Sequence, residues 1–93
     1  MSRALVEEVT WDDKQVTSKD WATYDSLYLG FEIPTIDVIL MNPTGVSATG
    51  AGETAITVVA AAIGNAIFDA TGARLREAPF TAERVKAALQ VNG

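Results

Sequence analysis

The chain has neither cysteine nor histidine. Without cysteine there is no disulfide and no thiolate nucleophile, and the redox compartment leaves no trace. Without histidine the commonest general base, the commonest metal ligand and every Ser-His triad are gone. Any catalysis must rest on Asp, Glu, Lys, Arg or Tyr. Positive charge is also scarce: seven Lys and Arg stand against twelve Asp and Glu, a formal charge of −5. That balance argues against nucleic acid, where basic patches supply most of the affinity, and against anionic membrane surfaces. Met1 to Glu8 lack the apolar run of a signal peptide. The uncharged stretch after Glu53, Thr54 to Phe68, is short for a membrane span and carries Thr57, Gly64 and Asn65. The reading is a soluble, cytoplasmic protein with a buried helix.

What is present fits one small globular domain, residues 1–93. Hydrophobic residues make up 48% of the chain, too many for a disordered one. A chain of this length buries roughly 60–65% of its unfolded surface, a marginal core.

The pattern along the chain predicts an α+β fold. Val9 to Trp11 and Val16-Thr17 flank the polar turn Asp12 to Gln15, which reads as a β-hairpin. Ser18 to Glu32 carries Trp21, Tyr24, Tyr28 and Phe31 without a period and reads as irregular, with a short helical turn and its aromatics in the core. Pro34 favours extended backbone at Ile33. Ile36, Val38 and Leu40 then alternate with Asp37 and Ile39 up to Met41, the best strand in the sequence. Asn42 to Gly52 is a loop. A long helix follows from about Thr54 to Ala70, with Ile56, Val59, Ile63 and Ile67 on one face. It is apolar over most of its circumference and so belongs inside a protein. Ninety-three residues can hardly cover it, which suggests a chain shaped to sit in something larger. Gly72 reads as its left-handed C-cap. Arg74 to Glu77 reads as a short strand with Leu75 inward. Thr81 caps a short last helix, with Phe80 and Val85 as its staple.

Three constellations could carry chemistry. Gly50-x-Gly52-x-x-Ala55 fits a dinucleotide fingerprint. However, eight residues separate it from the strand, and Glu53 would repel a pyrophosphate at the helix mouth. Glu7, Glu8, Asp12 and Asp13 are close in sequence, but their spacing is not that of a calcium loop, and a solvated hairpin end accounts for them. The third is Glu53, delivered by Gly50-Ala51-Gly52 to the start of the long helix. The macrodipole favours a first-turn carboxylate by about 0.3–1 kcal/mol, and local physics leans to that role. The flanking glycines point instead to close approach by something else.

Gly50-Ala51-Gly52-Glu53 is followed by Ala60-Ala61-Ala62-Ile63-Gly64-Asn65-Ala66-Ile67-Phe68-Asp69-Ala70-Thr71-Gly72. Then come Arg74-Leu75-Arg76 and Pro79-Phe80-Thr81-Ala82-Glu83-Arg84-Val85. These blocks resemble the C-terminal end of the large subunit of the molybdenum hydroxylases, the xanthine dehydrogenase and aldehyde oxidase family, and in particular bacterial isoquinoline, nicotinate and aldehyde oxidoreductases. Ala4 to Val9, Asp12-Asp13, Tyr24 and Pro34 to Val38 follow the family's order of segments. The resemblance implies that Glu53 is the general base beside a molybdopterin cofactor. It would activate the oxygen that attacks an electron-poor carbon of an aldehyde or N-heterocycle. Gly50, Ala51 and Gly52 would lie against the cofactor, and electrons would leave through an iron–sulfur subunit. The family's large subunit is far longer than this chain. The expectation is therefore a fragment or split subunit that joins the remainder of a molybdenum-binding subunit, and that alone binds no cofactor and is inactive. The alternative is a non-enzymatic interaction module, with the helix and the Trp21 to Phe31 segment as its binding face.

Overall fold

The computed structural model describes residues 1–28, 30 and 33–91. It contains three helices: α1 (Ser2–Leu5), α2 (Thr54–Thr71) and α3 (Ala82–Val91). Among the described residues there is no named strand, so the α+β expectation, with its hairpin and additional strands, is overturned.

The reasons are local. The turn at Asp12 forms as expected: Asp12 Oδ1 accepts the backbone N–H groups of Lys14 and Gln15 at 2.8 and 2.9 Å. Pairing then stops at one antiparallel bridge, Trp11 to Val16. Beyond it the Thr17 and Ser18 N–H groups both donate to the Thr10 carbonyl, and the Thr10 N–H donates to Ser18 Oγ. Side-chain bonding has replaced the ladder. Arg74 to Glu77 is not a strand either. Arg74 folds back onto α2, donating to Asn65 Oδ1 at 2.8 Å and placing its guanidinium 3.8 Å from the Phe68 ring centre. Ile36 to Met41 is exposed and finds no neighbouring strand. Of the aromatics expected in the core, Trp21 and Tyr28 are exposed and Tyr24 is half-buried. Phe31 and Glu32, read with them, lie outside the described residues.

The helix expected at about Thr54 to Ala70 is α2. Its alanines favour the helical state, and it ends where Gly72 turns left-handed (φ 73°) and its N–H donates to the Phe68 carbonyl. The expectation of a buried helix is corrected: only Gly64 is buried, Val59, Ile63 and Ile67 are half-buried, and Ile56, Val58 and Phe68 are exposed. Of the face Ile56, Val59, Ile63 and Ile67, three residues are partly covered and Ile56 is not, because too little chain lies over the helix. By length and composition α2 could also cross a membrane, because eighteen residues rise about 27 Å. The core helix of a soluble protein passes the same test.

The last helix begins as expected: the Arg84 N–H donates to Thr81 Oγ1 at 3.3 Å, an N-cap bond. Three contacts gather the pieces. The Phe80 N–H donates to the Ala4 carbonyl at 2.7 Å. Arg84 Nη2 meets Glu8 Oε1 at 2.8 Å and Glu77 Oε1 at 3.4 Å, while its Nη1 donates to the Pro79 carbonyl. The Phe80 ring lies on α2 at Gly64, where an added Cβ would come within 3.3 Å of Cζ.

The buried residues among those described are Ala4, Gly64, Ala73 and Pro79, none with a large side chain. The accessible surface is 8017 Å², against about 5200 Å² for a folded monomer of this mass. The radius of gyration is 17.0 Å, against about 12 Å for a compact domain.

Candidate functional site

Glu53 occupies the N-cap position of α2 (φ −101°, ψ −6°), and its carbonyl accepts the Ile56 N–H at 3.1 Å. Its side chain is exposed and makes no capping hydrogen bond. The cap role that local physics favoured is therefore not realised through hydrogen bonding, and only the macrodipole acts on the carboxylate there.

Gly50, Ala51 and Gly52 are exposed with Glu53. Neither Gly50 nor Gly52 adopts a positive φ, and a Cβ built on either meets nothing within 4 Å. The fold of this chain thus requires glycine at neither position. What glycine leaves there is bare backbone beside a carboxylate, open to another body.

The other two constellations dissolve. No strand precedes Gly50 among the described residues, so the dinucleotide unit is not built. The acidic residues separate into structural tasks. Asp12 holds its turn, Glu8 pairs with Arg84, and Glu7 accepts the Tyr24 hydroxyl at 2.9 Å. The Ser2 hydroxyl, then the Tyr24 hydroxyl and the charges of Arg3 and the N-terminus, hold the Glu7 carboxyl below its ordinary range against some desolvation. Among the described residues no three His, Cys, Asp or Glu gather as a metal site. The chain thus presents an exposed carboxylate beside an open glycine loop and, among the described residues, no ligand cluster for a metal ion.

Sequence reasoning missed the Arg84 cluster, whose partner Glu8 is 76 residues away and leaves no local signal. The short helical turn expected within Ser18 to Glu32 lies at Asp20, whose carbonyl accepts the Tyr24 N–H at 2.9 Å, but the part its side chain plays was not read. There Asp20 Oδ1 accepts from Ala22 N, Thr23 N and Thr23 Oγ1, which holds the Asp20 carboxyl below its ordinary range, the Thr23 hydroxyl first. The Asp-x-x-Thr spacing was the available sign.

A nicotinate dehydrogenase subunit of Pseudomonas putida is 49% identical over 99% of this chain. The aldehyde oxidoreductase molybdenum-binding subunit PaoC of Escherichia coli is 35% identical over 91% of it. A membrane-bound aldehyde dehydrogenase (pyrroloquinoline-quinone) of Gluconacetobacter polyoxogenes is 34% identical over 97%. The chain spans 8%, 12% and 11% of these relatives' own lengths. No protein-family profile and no solved structure matches it. The chain is thus homologous, along nearly its whole length, to one segment of an aldehyde oxidoreductase molybdenum-binding subunit and of a nicotinate dehydrogenase subunit.

Proposed function

We propose that the chain is the segment of a molybdenum-dependent hydroxylase of aldehydes or N-heterocycles that carries the general base, Glu53. The observation behind this reading is an exposed, uncapped carboxylate on an open glycine loop, in a chain 49% identical to part of a nicotinate dehydrogenase. When bound, the molybdopterin cofactor would supply the redox chemistry, taking two electrons from the substrate for onward passage to an iron–sulfur subunit. Glu53 accepts a proton as the oxygen attacks the electron-poor carbon, and α2 fixes its backbone while the side chain stays free to reach. Gly50 and Gly52 let the cofactor or substrate come against the main chain, with Ala51 between them. A stand-alone interaction module accounts for the exposed apolar surface but not for this identity.

The test is Glu53→Gln in the assembled enzyme. Turnover falls by about 10²–10⁴-fold, the range of a general base, while bound molybdenum is unchanged. Undiminished turnover removes Glu53 from the mechanism. One relative's name carries molybdenum and another's carries pyrroloquinoline quinone. Metal analysis of the purified assembly decides between them, and an active, metal-free enzyme overturns the molybdenum reading.

A further inference from the structure

Residues 33–41 are a mainly apolar stretch, broken by Thr35 and Asp37, that lies outside every helix. Among the described residues none of residues 33–41 makes a hydrogen bond. Ile36, Val38, Ile39, Leu40 and Met41 are 65–84% exposed. Backbone free to pair and bare apolar side chains thus coincide on one stretch, and joining a covered sheet as a neighbouring strand pairs the first and buries the second.

The side-chain pattern specifies what lies around that neighbour. In a strand, Ile36, Val38 and Leu40 share one face, and Asp37, Ile39 and Met41 the other. Val38 to Met41 is apolar without interruption. A strand wetted on one face alternates apolar with polar, whereas one covered on both faces reads as a continuous apolar run. Among its described residues the chain has no sheet to receive it. The chain makes up only 8–12% of the matched relatives' length, so ample protein lies outside the matched segment to supply one.

We propose that residues 36–41 insert as a strand at an open sheet edge of the remaining large subunit, in a position covered on both faces. This rests on the reading of the chain as a segment of that larger protein. The strand then anchors the Asn42–Gly52 loop at its start while α2 anchors it at its end. Glu53 is thereby held from both sides, which a loop tethered at one end cannot provide.

Amide hydrogen exchange on the 93-residue chain alone and on the assembled enzyme tests this. Alone, residues 36–41 exchange at rates close to those of an unstructured peptide. In the assembly they slow by at least about 10³-fold, as paired strands do. Ile39→Pro, which removes one ladder donor, lowers assembly, whereas Ile39→Val does not. An active assembly in which α2 becomes protected but residues 36–41 still exchange freely overturns the strand alone. A chain that fails to join the large subunit overturns both this and the segment reading. Protection of residues 36–41 that rises with the concentration of the isolated chain, and is no greater in the assembly, identifies a second copy as the partner and also overturns the proposal.

Discussion

Glu53 carries a prediction about stability as well as activity. A side chain that caps a helix typically loses about 0.5–2 kcal/mol on truncation. Glu53 makes no such bond, so Glu53→Gln leaves the helix content of the chain by circular dichroism unchanged apart from a salt-sensitive macrodipole effect. A loss that persists in high salt would reveal a capping role. Glu7 supports a pH prediction. Its folded carboxyl titrates below its ordinary value, so its contribution is complete above that value and is lost as pH falls through the lowered one. The Ser2 hydroxyl is the first cause and the Tyr24 hydroxyl a lesser one. Ser2→Ala therefore moves the Glu7 titration upward further than Tyr24→Phe does, by nuclear magnetic resonance. The position of Glu53 at a helix mouth was legible because glycine, carboxylate and apolar run are adjacent in sequence. Its lack of a capping bond was not, because that depends on side-chain torsions no pattern encodes.

Among the elements, those stabilised within themselves were readable and those needing a distant partner were not. The α2 boundaries, the Gly72 cap and the Thr81 cap follow from residues a turn apart. The strands do not, because a strand exists only by virtue of its neighbour. Here Asp12 built its turn while Thr10 and Ser18 diverted the hydrogen bonds that a hairpin would have used. Gly64 shows the same limit. Its helical position costs roughly 0.5–1 kcal/mol relative to alanine, and the reason, the Phe80 ring, lies sixteen residues on. Gly64→Val therefore destabilises by about 1–3 kcal/mol, the usual cost of overpacking. Gly64→Ala is milder, because the half-exposed ring need yield only a few tenths of an ångström. Denaturant titration of the assembled protein reads both, and a stabilising valine would show that the ring does not depend on this site.

At the scale of the molecule the sequence already held the central tension: a helix apolar nearly all round in a chain too short to cover it. The structure gives that tension a size, an excess of about 2800 Å² of surface over a compact monomer. Isolated, the chain is expected to unfold over a broad temperature range and to bind a hydrophobic dye already in its native buffer. A single sharp calorimetric transition would contradict this. It is also expected to show no hydroxylation of aldehydes or N-heterocycles by itself, since it corresponds to only 8–12% of the length of these relatives, and turnover by the purified chain would overturn that. The Arg84–Glu8 and Phe80–Ala4 contacts have a consequence for engineering. They cinch the excursion between residues 9 and 78 at its neck, so that it leaves and returns at one point. Closing such a circuit depends only weakly on its length, about 0.6 kcal/mol for each doubling. The segment can therefore be exchanged as a unit: the matching stretch of the Pseudomonas relative, cut at the same neck, should replace it provided that Tyr24 and Gly64, which meet Glu7 and Phe80 outside it, are kept.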